Sequence, residues 1–154
     1  MNLDIKLPKS YYKFADADLN EFDKEKSTEL ITVNLSSFVS CKLEQLAVHE
    51  NMPVQDVLKR ILIEEGILDE EDVVFSGRKK ASSKFLGADC EKLKEIGTSK
   101  LYRISLSEYA KAKVLKQMVE LGFDLSFFIK KSMVRKSKGS KKFYQVLEVS
   151  DIGS

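Results

Sequence analysis

The residues whose types and spacing could support chemistry are few, and most fail on inspection. Asp16-x-Asp18-x-Asn20 has the spacing of the first half of a calcium loop. Glu21, however, stands where the sharp turn needs Gly, and Ser27 stands where a bidentate Glu should close the site. His49 is the only histidine and falls near the end of an expected helix, so it reads as a surface or capping residue rather than a base. Cys41 and Cys90 are too few for a disulfide framework or a cysteine zinc site, and Cys41 reads as a small core residue. No Gly-rich phosphate loop is present. No enzyme activity, metal or cofactor is expected. What remains is a set of polar side chains at alternate positions, Thr32 and Asn34 in one segment, Arg103 and Ser105 in another.

The elements that hold these side chains emerge when the chain is compared with itself. Sliding Ile31–Phe38 by 71 positions lays it on Tyr102–Tyr109, with apolar residues matched at Ile31/Tyr102, Val33/Ile104, Leu35/Leu106 and Phe38/Tyr109. Without a gap the match continues through Leu43/Val114, Ala47/Met118, Val57/Phe128, Leu58/Ile129 and Leu62/Met133. Leu46/Gln117, Ile61/Ser132 and Asp56/Phe127 are mismatches, so the signal lies in spacing rather than identity. Each copy opens with period-two alternation, the mark of a strand with one apolar face. Ser36 or Ser37, and Ser107, then sit where a helix N-cap belongs. The spacing predicts first helices over 37–49 and 108–121, broken by Asn51-Met52-Pro53 and Gly122-Phe123-Asp124. Second helices are predicted from Val54 to Glu65 and from Leu125 to Arg135, with Asp124 capping the latter. A unit of this size cannot bury a core alone, and a lone strand leaves its edges unpaired. Pairing the two strands antiparallel and closing four helices over one side solves both problems.

This strand-helix-helix pattern, carried by Ile31-Thr-Val-Asn-Leu-Ser-Ser-Phe38, Leu43–Ala47 and Val54–Leu58 and repeated more loosely from Tyr102 to Met133, resembles the ribbon-helix-helix (Arc/MetJ/CopG) superfamily. It is similar to the tandem single-chain members of that superfamily found in conjugative relaxosomes. The resemblance implies a mainly α fold with a two-stranded antiparallel ribbon, formed as an intramolecular pseudo-dimer. It also implies a double-stranded DNA-binding protein, either a transcriptional repressor or a relaxosome accessory factor, in the cytoplasm. A two-stranded ribbon fits the B-DNA major groove. Alternation turns Thr32, Asn34, Arg103 and Ser105 away from the core, where all four can hydrogen-bond base edges. Leu30 and Leu101 fall in the same outward phase, where an apolar side chain either meets a thymine methyl or shows that the strand has ended. The resemblance further implies phosphate contacts at the starts of the second helices, from the amides of Val54, Gln55, Leu125 and Ser126, with Lys130 adding charge. Pro53 lacks an N–H and Asp124 adds a negative charge, both departures from that pattern.

Composition and charge set the remaining bounds. With 154 residues, 43% hydrophobic and 32% charged, the chain suits one compact domain or two very small modules. The net charge of +2 hides a polarity: residues 1–77 hold 8 Lys and Arg against 16 Asp and Glu, whereas 78–142 hold 18 against 6. A basic half suggests a polyanionic partner. Within the copies, 29–67 carry 3 basic and 6 acidic residues and 101–135 carry 7 and 3, so the second copy is expected to dominate nonspecific affinity. The organisation reads as an N-terminal arm (1–28), copy one (29–67), a linker (68–100), copy two (101–135) and a basic C-terminal tail (136–154). The linker turns basic at Arg78-Lys79-Lys80 and holds a short helix at Asp89–Ile96. The tail carries a basic run, Lys136–Lys142, and apolar residues at Phe143–Val149. The arm or the tail could recruit a protein partner, and the chain would act as a monomer or a higher oligomer on DNA. No stretch suits a membrane span or a signal peptide. The competing reading is a protein-interaction module, an antitoxin or assembly adaptor, on the same scaffold.

Overall fold

A computed structural model describes residues 7–77 and 83–136, with side chains through Val134. Among them are five α-helices and one two-stranded antiparallel sheet. Strand β1 (Glu29–Ser36) and strand β2 (Ser99–Leu106) alternate as their sequences require, so Ile31, Val33 and Leu35 of one and Tyr102, Ile104 and Leu106 of the other are buried. The register sets Ile31 opposite Ile104, Thr32 opposite Arg103, and Asn34 opposite Leu101. Four helices close over the apolar side: α2 (Ser37–Glu50), α3 (Val54–Glu64), α4 (Glu108–Leu121) and α5 (Leu125–Lys136). Their inward residues, Leu43, Leu46, Leu58, Ile61, Leu62, Met118, Leu125 and Ile129 among them, form one core with the ribbon. A fifth helix, α1 (Lys9–Tyr12), packs on α4. No helix among the described residues is long and apolar enough to cross a membrane.

The helix ends lie where capping chemistry puts them. The Ser36 hydroxyl accepts from the Val39 amide, and the Ser107 hydroxyl accepts from the Ala110 amide, each satisfying a first-turn donor. Asn51 (φ 58) and Gly122 (φ 76) adopt the left-handed conformation that ends α2 and α4. The residue after each then donates back, Met52 to the Ala47 carbonyl and Phe123 to the Met118 carbonyl. Asp124 accepts from the Ser126 amide, as a cap should. Pro53 occupies the N-cap position of α3 and offers no side-chain bond.

Two expectations are corrected. Cys41 is not a solitary small core residue: it is disulfide-bonded to Cys90. The pairing escapes sequence reasoning because 49 residues separate the two cysteines and only the fold brings them together. The linker does not run free where it is described, and its expected helix shortens to a 3-10 turn, Cys90–Leu93, packed on α2. The N-terminal arm docks on the core through the buried side chains of Leu7 and Tyr11. Residues 78–82, with Arg78-Lys79-Lys80, and the tail from 137, with the rest of the basic run and Phe143–Val149, lie outside the described residues.

Linker packing explains why α2 buries polar side chains as well as apolar ones. Glu44 is only 2% exposed. Its carboxylate accepts from Lys100 Nζ at 2.6 Å, from Ser83 Oγ at 2.7 Å and from the Tyr102 hydroxyl. Burial alone would raise the Glu44 carboxyl, but the bonds from Lys100, Ser83 and Tyr102 outweigh it and hold the group below its ordinary 4.5. Burial first, and then the neighbouring carboxylate, push the Tyr102 hydroxyl up. A carboxyl depressed in the folded state contributes stability above its ordinary value and loses it as pH falls through the folded value. Acid titration of urea stability should therefore show a loss beginning near pH 4.5 and continuing below it. Glu44→Gln should flatten that segment of the profile, while an unchanged profile would deny Glu44 this role.

Candidate nucleic-acid interface

The solvent face of the ribbon is built from the residues that alternate with the core. Thr32, Asn34 and Arg103 are exposed, and their side chains make no hydrogen bond or ion pair with any described residue. Arg103 is thus a cation with no carboxylate partner among the described residues, at the centre of the ribbon and opposite Thr32. Ser105 is half-buried, and its hydroxyl donates to the Ser27 carbonyl at 3.4 Å, so it is less available than the other three. Leu30 and Leu101 lie within β1 and β2 rather than at their ends, which settles where the strands stop.

The second helices bond to the ribbon through side chains at their starts. The outer edge of each strand would leave amides unpaired. The Asn34 amide donates to Ser126 Oγ and the Ser105 amide donates to Gln55 Oε1, each at 2.8 Å. Gln55 and Ser126 therefore spend their side chains closing the ribbon edges.

The geometry weighs against phosphate contacts from Leu125 and Ser126. The Leu125 amide donates to the Tyr11 hydroxyl at 3.0 Å and the Ser126 amide to Asp124 Oδ2 at 3.2 Å, while Tyr11 donates to Asp124 Oδ1 at 3.2 Å. These donors are occupied, and a carboxylate sits beside them. Burial, offset by the Leu125 amide and reinforced by Asp124, leaves the Tyr11 hydroxyl pushed up to about 12. At the start of α3 no described residue accepts from the amides of Val54 and Gln55, so of the two second helices this is the one whose expected donors stay open to an anion. Lys130 is exposed on α5. Beside β1 a cleft of about 160 Å³ is lined in part by Ser10, Lys13, Leu30, Thr32 and Lys111, placing two further cations next to the ribbon, of which Lys111 is ion-paired with Glu29 at 3.4 Å.

One correspondence escaped the sequence reading although its signal was present. At the same 71-residue offset, Lys13-Phe-Ala-Asp-Ala-Asp18 lies over Lys84-Phe-Leu-Gly-Ala-Asp89, with four identities in six positions. Both segments fold alike. Ala17 donates to the Phe14 carbonyl and Ala88 to the Phe85 carbonyl. Asp18 caps the Asn20 amide and Asp89 caps the Glu91 amide. Lys13 lies over the Phe14 ring and Lys84 over the Phe85 ring. Lys116 of α4 then donates to the Ala17 carbonyl, and Gln45 of α2, 71 positions earlier, donates to the Ala88 carbonyl.

Comparison with protein-family models, with curated proteins and with solved structures returns no match.

Proposed function

We propose that the chain is a double-stranded DNA-binding protein that lays its ribbon in the major groove, and that its two halves form an intramolecular pseudo-dimer of the ribbon-helix-helix type. The observation that carries the reading is Arg103, exposed and without a partner among the described residues, at the middle of a ribbon face whose strand residues include no carboxylate. A guanidinium so placed suits the O6 and N7 of guanine, and Asn34 suits the N6 and N7 of adenine.

Support for the pseudo-dimer comes from the register and the edge bonds. Thr32 pairs with Arg103, the residue 71 positions on, so each is opposite its own repeat equivalent. A two-fold relation between the halves would pass through that rung. The same relation exchanges the Asn34–Ser126 bond with the Ser105–Gln55 bond. It also exchanges the Lys116–Ala17 contact with that of Gln45 and Ala88, each arm lying on the first helix of the opposite copy. The repeat on this reading begins near Lys13 and not at the strand.

Because the rungs differ chemically between halves, the DNA site should be an imperfect dyad. Selection of bound fragments from a random duplex library tests this, and Arg103→Ala should weaken binding to the selected site by about 1–3 kcal/mol. No enrichment of any duplex, or full discrimination retained by that variant, would refute the reading. Mapping the selected site to a promoter or to a nick region would then separate repression from a role in conjugation.

A further inference from the structure

Resting on that reading, we infer that Leu30 and Leu101 recognise the C5-methyl groups of two thymines, one on each strand, astride the centre of the site. The two leucines are repeat equivalents, the same residue in both copies, and are 52% and 49% exposed. Solitary exposed leucines need no explanation, but these stand at matched places on a polar face. Leu30 is opposite Ser105 and Leu101 is opposite Asn34, so each outer rung pairs one apolar with one polar side chain around the Thr32–Arg103 rung.

In the major groove the thymine methyl is the apolar group that base edges present, and the other edges offer donors and acceptors that a leucine would leave unpaired. The face has a single formal charge, that of Arg103, which attracts an anionic partner such as the phosphate backbone and repels a basic one. The two leucine rungs lie four residues apart in the register, about 13 Å at roughly 3.3 Å per residue. At about 3.4 Å per base-pair step, this spacing places the thymines about four steps apart.

The test uses the full chain and its selected duplex, with deoxyuridine replacing thymine one position at a time, which removes only the methyl. Each of the two substitutions should weaken binding about fourfold, the effect of one buried methyl group. Leu30→Ala should abolish sensitivity at one thymine and leave the other intact, with Leu101→Ala doing the reverse. Both leucines are exposed, so thermal unfolding of the variants should match the parent. Unchanged affinity for both uracil duplexes, or selected sites lacking thymine at this spacing, overturns the inference while leaving groove binding standing. Absence of binding to any duplex overturns the reading beneath it and the inference together.

Discussion

Raising salt from 50 to 200 mM should lower the affinity of the chain for duplex DNA by roughly three orders of magnitude, as expected for a protein that neutralises about six phosphates. The groups that would do this are Lys13 and Lys111 at the cleft beside β1, the latter exchanging its ion pair with Glu29 for a phosphate, together with Lys130 on α5 and the amide donors at the start of α3. A ribbon seated in the groove would have a phosphate wall on each side. The start of α5 should contribute nothing, because Tyr11 and Asp124 already hold its amides. Anisotropy titrations across a salt series give the slope directly. Lys13→Ala combined with Lys111→Ala should reduce it by about two, at roughly one unit per lost phosphate contact. Weak, salt-independent association with duplex DNA would instead favour the adaptor reading.

Truncating the ribbon on its inner face should be far more damaging than truncating it on its outer face. Ile104 is fully buried, opposite Ile31, in the core formed by helices of both copies. Ile104→Ala should cost about 2–5 kcal/mol, combining lost transfer energy with the cavity left behind. Leu30→Ala removes a similar amount of hydrocarbon from the same ribbon, but from a half-exposed site, and should stay within about 0.5 kcal/mol. Urea denaturation of the two variants measures the contrast. Against a total stability of about 5–15 kcal/mol, the first change is severe. Similar costs for the two substitutions would mean that the ribbon does not have one buried and one solvent face.

These two expectations draw on features that were readable from sequence to different degrees. Helices α2 to α5 and the strand pairing were legible because local chemistry and periodicity agree there: Ser36 and Ser107 at N-caps, Asn51 and Gly122 at helix ends, and apolar alternation along both strands. The outward direction of Thr32, Asn34 and Arg103 followed from the same alternation. Single long-range contacts were not legible. Nothing local to Tyr11 announces that its hydroxyl will occupy the Leu125 amide, 114 residues away. Cys41 and Cys90 meet only after the linker docks. Glu44 stands where the second copy has Leu115, and its burial makes sense only with Lys100, Ser83 and Tyr102 around it. The Lys13–Asp18 match was visible at the established offset, but a six-residue turn has no periodicity to draw the eye.

The most direct measurement is methylation interference on the selected duplex with dimethyl sulfate, which marks guanine N7 in the major groove and adenine N3 in the minor groove. Groove reading by the ribbon predicts that N7-methylation of one guanine near the centre of the site blocks the parent chain and no longer affects Arg103→Ala. Interference confined to adenine N3, or the same N7 pattern for parent and variant, would contradict it.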